Sequence, residues 1–238
     1  MSITRRVEGG VATLTMDDGK VNAFDLNFFA ELDAVLDDCT DDAAVVIAGR
    51  PGMFSAGLHT RLVAELDRDG MARLLRAFGA TMLRVWLEPR PVVTAVGGHA
   101  VAGGTVLAMC ADHAVAAAGD YRWGLIETTL GVPLPGWVIT IARGNVRADR
   151  LDGLLLPGRS VDPPQAVEAG FADELVAPAE VLGRAQQVAV QLAELDRPTY
   201  AETKRRLRGA QADAALASME VDLRGLLDVR ERSKAQQR

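Results

Sequence analysis

Residues 97–112 constrain the fold of this chain more than any other stretch. They follow a β-rich run at 92–96 and consist of a glycine-rich turn and then an apolar segment of helical composition. A strand, a glycine turn and a helix in this order leave backbone N–H groups and the positive end of the helix dipole facing the space above the turn. Such a place favours negative charge, either permanent as in a phosphate or developing during a reaction as in an oxyanion.

Two other interpretations of this stretch are weaker. The spacing from Gly98 to Thr105 matches a phosphate-binding P-loop, but Gly104 occupies the position that the lysine of such a loop requires. Residues 92–111 carry no formal charge, as in a membrane span, yet four glycines, a central histidine and a preceding proline favour a buried strand and helix. The sequence therefore predicts a helix start that stabilises an oxyanion.

Composition bounds the class of protein. With 238 residues, 49% of them hydrophobic, the chain can bury a large core as one domain or as a domain with an appended helical segment. A net charge of −6 disfavours nucleic acid as a partner, and three histidines without ligand spacing disfavour a metal site. Cys39 and Cys110 lie in apolar segments and are expected to be reduced core thiols. No apolar signal-peptide core follows residues 1–6, so a cytoplasmic location is expected.

The order of predicted elements is β-β-α, repeated, and then helices alone. A glycine pair predicts a hairpin between runs 3–8 and 11–16, and Asp25 can cap a helix that ends near residue 38. Apolar residues recur at helical spacing over 71–85. Three further helical stretches are predicted at the carboxyl end, over 181–195, 199–208 and 211–232.

Four segments resemble signatures of the crotonase superfamily, the enoyl-CoA hydratase/isomerase group. Val-Asn-Ala at 21–23 resembles an early Asn-Ala signature, and Phe-Ser-Ala-Gly-Leu at 54–58 resembles the Phe-[Ser/Cys]-Ala-Gly-x loop. Residues 98–104 resemble the Gly-x-Ala-x-Gly-Gly-Gly turn, and 124–131 the block with a catalytic glutamate. A weaker match covers 166–173. The resemblance spans residues 3–178, with the four blocks in family order.

This resemblance implies an α/β fold, a spiral of ββα units that forms a core with the acyl-CoA site over residues 1–178. It also implies a C-terminal helical oligomerisation region over 179–238, which usually drives homotrimers or dimers of trimers. The expected partner is an acyl-CoA substrate, with coenzyme A as part of the substrate and no separate cofactor. Neither a membrane nor a nucleic acid is expected as a partner.

The resemblance also implies the roles of individual residues. The backbone N–H groups of Leu58 and Gly103 would hold the thioester oxygen, and Glu127 would move the proton; a side chain at Gly103 would crowd the acyl group. His59 stands where the family usually has Asp, so it is either a second acid/base group or a structural, solvent-facing residue. The remaining residues expected to contact the substrate are Asn22, Ala23, Ala56, Gly57, His59, Arg61, His99, Gly104, Val106 and Trp137.

The number of carboxylates separates two reactions. A hydratase of this family uses two glutamates, but Val106 occupies the first position and only Glu127 is present. Because acid–base assistance is worth roughly 10²–10⁴-fold, this loss should cripple hydration. One base suffices to shift a double bond, and the block at 124–131 looks most like the mitochondrial-type Δ3,Δ2-enoyl-CoA isomerases. Burial among Trp123, Leu130 and Val106 is expected to raise the pKa of Glu127.

Several alternatives stay open from the sequence. The protein is an isomerase, a hydratase with another water-activating group, or a catalytically silent acyl-CoA binding protein. Trp137 lines the acyl pocket or packs in the core. Arg61 is a candidate for the CoA phosphates, and the basic run at 204–206 either contacts those phosphates or forms a solvated helix face.

Overall fold

A six-stranded sheet organises the larger part of the molecule, of which a computed structural model describes residues 2–236, with side chains over 3–232. Its order is β1-β2-β3-β5-β7-β9, antiparallel between β1 and β2 and parallel elsewhere. The predicted hairpin is confirmed, and its turn is made by Gly9 and Gly10 at φ of 58° and 80°. The strands are β1 Ser2–Glu8, β2 Val11–Asp17, β3 Ala44–Ala48, β5 Val92–Val96, β7 His113–Ala117 and β9 Glu174–Val176.

A second, smaller sheet contains three parallel strands in the order β4-β6-β8. Ser55 pairs with Ala100, and Ala100 pairs with Trp123, so these residues form one paired row across the sheet. The strands approach so closely that a Cβ atom on Gly98 would lie 1.9 Å from the carbonyl carbon of Gly52. Only glycine fits there. The strands are β4 Gly52–Ser55, β6 Gly98–Val101 and β8 Trp123–Gly124.

Helices connect and cover these strands. Asp25 caps α1 as predicted, since its side chain accepts a hydrogen bond from the N–H of Phe28. The helices are α1 Leu26–Asp38, α2 Thr60–Glu65, α3 Arg68–Trp86, α4 Gly103–Cys110, α5 Gly136–Asn145, α6 Leu151–Leu155, α7 Pro163–Ala169, α8 Val181–Ala193 and α9 Arg197–Gln236, with short 3₁₀ helices at Glu127–Leu130 and Pro178–Glu180.

Both faces of the large sheet are covered, which explains why strands such as β3 are buried along their whole length. The main core, which includes α1, α3 and α4, lies on one face. On the other face Val46, Val93 and Val115 pack with Val188 and neighbouring residues of α8. Strand β5 and helix α4 are buried throughout, which confirms the strand and helix predicted at 92–111. Within residues 2–236, no helix combines the length and the apolar character that a membrane crossing requires.

The carboxyl end differs from the prediction of three helical stretches. After α8 the chain forms one 40-residue helix, α9, which runs without a break through Gly209. A glycine in a helix costs about 1 kcal/mol relative to alanine, but burial on either side of it outweighs that cost. Ala212, Met219 and Leu223 are all buried where α9 packs on α3 and α5. The division predicted at residue 178 coincides with the second 3₁₀ helix, and the role of α8 and α9 in oligomerisation stays a prediction.

Candidate active site

The three residues predicted to carry chemistry follow the three strands of the small sheet. Leu58 and Gly103 each come three residues after the paired row, and Glu127 comes four residues after it. Parallel strands of one sheet end at the same edge, so the register brings these positions to one edge. The structure thus places together three residues that the sequence separates by up to 69 positions (127 − 58 = 69).

The loops that carry the two backbone donors touch one another. A Cβ atom on Gly57 would lie 2.6 Å from the backbone nitrogen of Gly103, and one on Gly103 would lie 3.1 Å from the Cα of Gly57. Gly57 also has φ of 79°, a conformation that side chains disfavour. Glycine is therefore required at both positions, and this close approach brings the two predicted donors side by side.

Both predicted donors are free to bind a ligand. Within the described residues, neither the N–H of Leu58 nor that of Gly103 donates a hydrogen bond to a protein acceptor. Gly103 is the first residue of α4, where N–H groups have no partner inside the helix. Two adjacent backbone donors in a fixed position are what the stabilisation of a developing oxyanion requires.

Ala102 orients the second donor through an unusual backbone conformation. It has φ of 52° and ψ of −122°, in the left-handed half of conformational space. Its N–H donates to the carbonyl of Gly124 at 2.8 Å, and its carbonyl accepts from Val106 at 3.1 Å. Such a conformation costs of the order of 1–3 kcal/mol for a residue with a side chain. The hydrogen bonds to Gly124 and Val106 offset this cost and fix the peptide that precedes Gly103.

Glu127 is a carboxylic acid in an unusual environment. It begins a 3₁₀ helix, and its Oε2 atom is buried without a hydrogen-bond partner among the described residues. Burial, which disfavours the charged form, raises the pKa of Glu127 to about 7. Of the three residues expected to bury this carboxyl group, Trp123 and Val106 are fully buried, whereas Leu130 is 59% exposed. A carboxyl group with a pKa near neutrality can both take and return a proton.

The first helical turn of α4 offers no second acid or base. Val106 is fully buried one turn after Gly103. The neighbouring hydroxyl, on Thr105, is engaged, because it donates to the carbonyl of Ala100 at 2.6 Å and accepts from the N–H of Gly124 at 3.0 Å. Thr105 therefore ties β6 to β8, and thereby supports the segment that leads to Glu127. No motif in the sequence indicates this role of Thr105.

The side chain of Asn22 braces the donor loop from inside and does not face a ligand. It is fully buried, and its Nδ2 donates to the carbonyls of Met16 at 3.0 Å and Phe54 at 3.1 Å. Ser55 completes the brace, since its Oγ donates to the carbonyl of Asn22 at 2.7 Å and accepts from the N–H of Gly57 at 3.0 Å. Any contact of Asn22 with substrate would have to come from its backbone.

The loops at 22–23 and 56–58, which are expected to contact the substrate, are joined to one another through their main chains. Ala23 and Ala56 are both half-buried. The N–H of Ala56 donates to the carbonyl of Val21 at 3.0 Å, which ties the two loops together. Gly104 lies against the same loop, because a Cβ atom there would lie 2.2 Å from the carbonyl oxygen of Ser55.

His59 and Arg61 lie on the surface at the start of α2. His59 is exposed and caps this helix, with its Nδ1 accepting from the N–H of Leu62 at 3.2 Å. This geometry supports the structural alternative over a second acid/base group. Arg61 is exposed in the first turn of α2.

The side chains of His99 and Trp137 both contact other residues of the protein. Along β6, His99 alternates with the buried Ala100, and its Nδ1 accepts from the N–H of Arg122 at 3.0 Å while its ring meets the Tyr121 ring edge-on. His99 therefore faces the opposite side of β6 from Ala100, and its contact with the substrate stays a prediction. Trp137 is buried and packs edge-on against Phe78 at 4.8 Å, and its place beside the acyl group stays a prediction.

Lys204 cannot contact a coenzyme A phosphate, contrary to one of the two alternatives for the basic run. It is 5% exposed, and its Nζ donates to the carbonyls of Glu88 at 2.6 Å and Arg90 at 2.8 Å. A third bond joins it to the carboxylate of Asp112 at 2.6 Å. The other two members of the run are exposed, so only part of it forms a solvated face.

Comparisons with known proteins agree with this architecture. The enoyl-CoA hydratase/isomerase family model matches residues 6–237. The chain is 26% identical over 226 residues to the rat mitochondrial enoyl-CoA delta isomerase 1, covering 93% of this chain and 78% of that protein. It is 32% identical over 215 residues to a probable enoyl-CoA hydratase of Bacillus subtilis, covering 84% and 79%.

The solved structures agree as well. An enoyl-CoA hydratase/isomerase family protein from Pseudomonas syringae superposes with a TM-score of 0.90 at 30% identity, covering 94% of this chain and 97% of that one. The predicted fold class is thereby confirmed. With two free backbone donors and a buried carboxyl group at one edge of this fold, the chain belongs to the enoyl-CoA hydratase/isomerase family of the crotonase superfamily.

Proposed function

We propose that this protein is an enoyl-CoA isomerase that moves a double bond from the 3,4 to the 2,3 position of an acyl-CoA with Glu127 as its single base. The observation that carries the proposal is the buried Oε2 of Glu127, which lacks a protein partner at the edge where Leu58 and Gly103 leave their N–H groups free. Val106, fully buried, stands where a second carboxylate would activate water.

The reaction needs two proton transfers at the same carboxyl group. The Glu127 carboxylate takes a proton from C2, and the electrons of that C–H bond form a C1–C2 double bond as charge moves to the thioester oxygen. The N–H groups of Leu58 and Gly103 donate to this oxygen in the dienolate. When the carbonyl forms again, C2 and C3 become doubly bonded, and the electrons of the former C3–C4 double bond take the proton from Glu127 at C4.

The raised pKa of Glu127 suits both steps. A group with a pKa of about 7 is substantially ionised at neutral pH, so it can start as the base. Once protonated, it is acidic enough to return the proton to carbon. A carboxyl group with an ordinary pKa would be a weaker base towards C2, so burial improves the first step.

We further propose that the coenzyme A part lies along the loops at 22–23 and 56–58, held mainly by backbone groups, with Arg61 near its phosphates. A cytoplasmic homotrimer or dimer of trimers stays the prediction for location and assembly. Hydration is the second candidate activity, because one relative at 32% identity is a probable enoyl-CoA hydratase. The buried Val106 argues against it, since water would find no acceptor there.

The deciding experiment measures turnover of a 3-enoyl-CoA and a 2-enoyl-CoA by the wild type and by Glu127→Gln. We expect isomerisation by the wild type, a fall of roughly 10²–10⁴-fold in the variant, and negligible hydration by both. Glu168→Gln is the matched control, because Glu168 is exposed and, among the residues that the structure describes, its ion-pair partner is the surface residue Arg150. Glu127→Gln should still bind a saturated acyl-CoA, which would show that the substitution impairs proton transfer and not substrate binding.

Two results would contradict the proposal. Hydration that survives in Glu127→Gln would reveal another base and favour a hydratase. Tight binding of acyl-CoA without turnover of either enoyl isomer would identify a non-catalytic acyl-CoA binding protein.

A further inference from the structure

We propose that Phe24 is a positioning residue that fixes the spacing and the direction of the two oxyanion donors, Leu58 and Gly103. Phe24 follows the Asn-Ala pair directly and is fully buried. Its main chain is bonded to the loop of Leu58, and its ring lies beside Gly103. The inference rests on the proposed function, because the donors act only when a thioester oxygen binds between them.

The main chain of Phe24 sets the direction of the first donor. Its N–H donates to the carbonyl of Gly57 at 2.8 Å, and its carbonyl accepts from the N–H of His59 at 2.9 Å. The Gly57 carbonyl and the Leu58 N–H belong to one planar trans peptide, where they point in opposite directions. A bond that fixes the Gly57 carbonyl therefore aims the Leu58 N–H away from Phe24.

The ring of Phe24 sets the position of the second donor. Its Cδ2 would lie 3.3 Å from a Cβ atom on Gly103, and the Cζ of Phe78 would lie 3.0 Å from the same point. The side of Gly103 from which a side chain would project thus faces the two rings and the Cα of Gly57, which bound the space beside this donor. One residue restrains both donors, the first through its main chain and the second through its side chain.

The ring cannot swing away from Gly103, because neighbouring rings enclose it. Phe28 stacks on it in parallel at 4.2 Å with 4° between the planes. Phe29 and Phe78 meet it edge-on at 6.0 and 6.4 Å. A smaller side chain at this position leaves the main-chain bonds in place but removes the support beneath Gly103, so the two donors can move apart.

The test compares Phe24→Leu and Phe24→Met with Phe171→Leu. Phe171 is a matched control, since it is 2% exposed in the same core and its N–H donates in the turn that ends α7. Because a displacement of about 1 Å can cost roughly 10²-fold in rate, we expect kcat to fall about 10- to 100-fold in the Phe24 variants. KM should change little, since the oxygen needs both donors most in the transition state.

A second readout reports the donors without turnover. A chromophoric cinnamoyl-CoA bound to the wild type should show a red-shifted absorbance, because two donors polarise its carbonyl. The shift should shrink in both Phe24 variants and persist in Phe171→Leu. The pH at which kcat/KM is half-maximal should stay near 7 in every variant, because Glu127 is untouched.

Three results would overturn the proposal. One is a full kcat and a full spectral shift in both Phe24 variants, and another is an equal loss of both in Phe171→Leu. The third is a wild type that binds the chromophore without a shift. If the wild type turns over neither enoyl isomer, the proposed function fails, and the spectral comparison still decides whether Phe24 spaces the donors.

Discussion

Two buried carboxyl groups in this molecule have opposite surroundings. The Oδ2 of Asp112 accepts from the N–H of Val92 at 2.8 Å and from the Nζ of Lys204 at 2.6 Å, and its Oδ1 accepts from Arg208 at 2.9 Å. The Oε2 of Glu127 has no partner among the described residues. Both groups leave water on folding, but only Asp112 receives donors and cations in exchange.

The difference separates a carboxylate that holds the fold from one that performs chemistry. A buried carboxylate whose oxygens accept hydrogen bonds from a main-chain N–H and from two cations joins the elements around it, here the start of β5 and helix α9. A buried carboxyl group without donors retains its proton to a higher pH, as the raised pKa of Glu127 indicates. When it is ionised, such a carboxylate does not increase the free energy of unfolding, but it can exchange a proton with a ligand.

The largest effect on stability should come from Asp112→Asn. The substitution leaves Lys204 and Arg208 without their counter-ion, and breaking a buried pair in this way costs about 3–5 kcal/mol. Urea denaturation monitored by circular dichroism measures the loss. The turnover per folded molecule should stay close to that of the wild type, and an unchanged denaturation midpoint would refute the structural role of Asp112.

The next largest effect is the pH dependence of stability that Glu127 contributes. In the unfolded chain this carboxyl group ionises near pH 4.5, whereas in the folded protein it stays protonated until about pH 7. The stabilisation is therefore complete below pH 4.5 and is lost as the pH rises to 7. Relative to Glu127→Gln, the wild type should lose about 2–3 kcal/mol across this window.

Denaturation curves of both proteins at several pH values measure this change, and any pH-independent cost of the glutamine cancels in the comparison. A constant difference between pH 4.5 and 8 would mean that the folded-state pKa of Glu127 is ordinary.

A smaller effect is expected in the pH profile of the wild-type reaction. Because Glu127 must start as a carboxylate, kcat/KM should fall about tenfold per pH unit below an inflection near pH 7. Initial rates with a 3-enoyl-CoA between pH 5 and 8.5 measure the profile. An inflection near 4.5 would contradict the role that burial plays in the proposed mechanism.

The smallest effect is expected from Glu220→Gln. Glu220 pairs with Arg76 through two hydrogen bonds, but the two side chains are 60% and 47% exposed, so water screens the pair. Thermal denaturation should show no change in Tm beyond experimental scatter. This variant is the solvent-exposed counterpart of Asp112→Asn, and a comparable loss in both would show that burial is not what distinguishes them.

The strand, turn and helix at 92–110 could be predicted from sequence because local composition determines them. The three blocks that contain Leu58, Gly103 and Glu127 are predicted to form one site, and the register of the small sheet explains why these residues lie at one edge. Local sequence patterns gave a wrong prediction where a residue far away in the sequence determines whether a side chain is buried. Lys204 lies in a basic run that is typical of a solvated helix, and its partner Asp112 is 92 residues away.

Two other features of the molecule could not be predicted from local patterns for the same reason, and neither could the role of Phe24. Gly209 favours a helix break in isolation, but tertiary packing of α9 overrides it. Asn22 was predicted from a signature, yet its side chain serves two carbonyl groups that only the folded loops bring near. Phe24 lies beside that signature, and nothing in the sequence shows that its ring reaches Gly103.

The bond between Asp112 and helix α9 has a consequence for the synthesis of the protein. As the ribosome extends the chain, the segment that contains Asp112 emerges well before Lys204 and Arg208 exist. Until those cations arrive, the nascent core would have to enclose an uncompensated negative charge, which is unfavourable. We expect the final consolidation of the core to wait until α9 has been synthesised, so that the reaction site matures only after Lys204 and Arg208 have paired with Asp112.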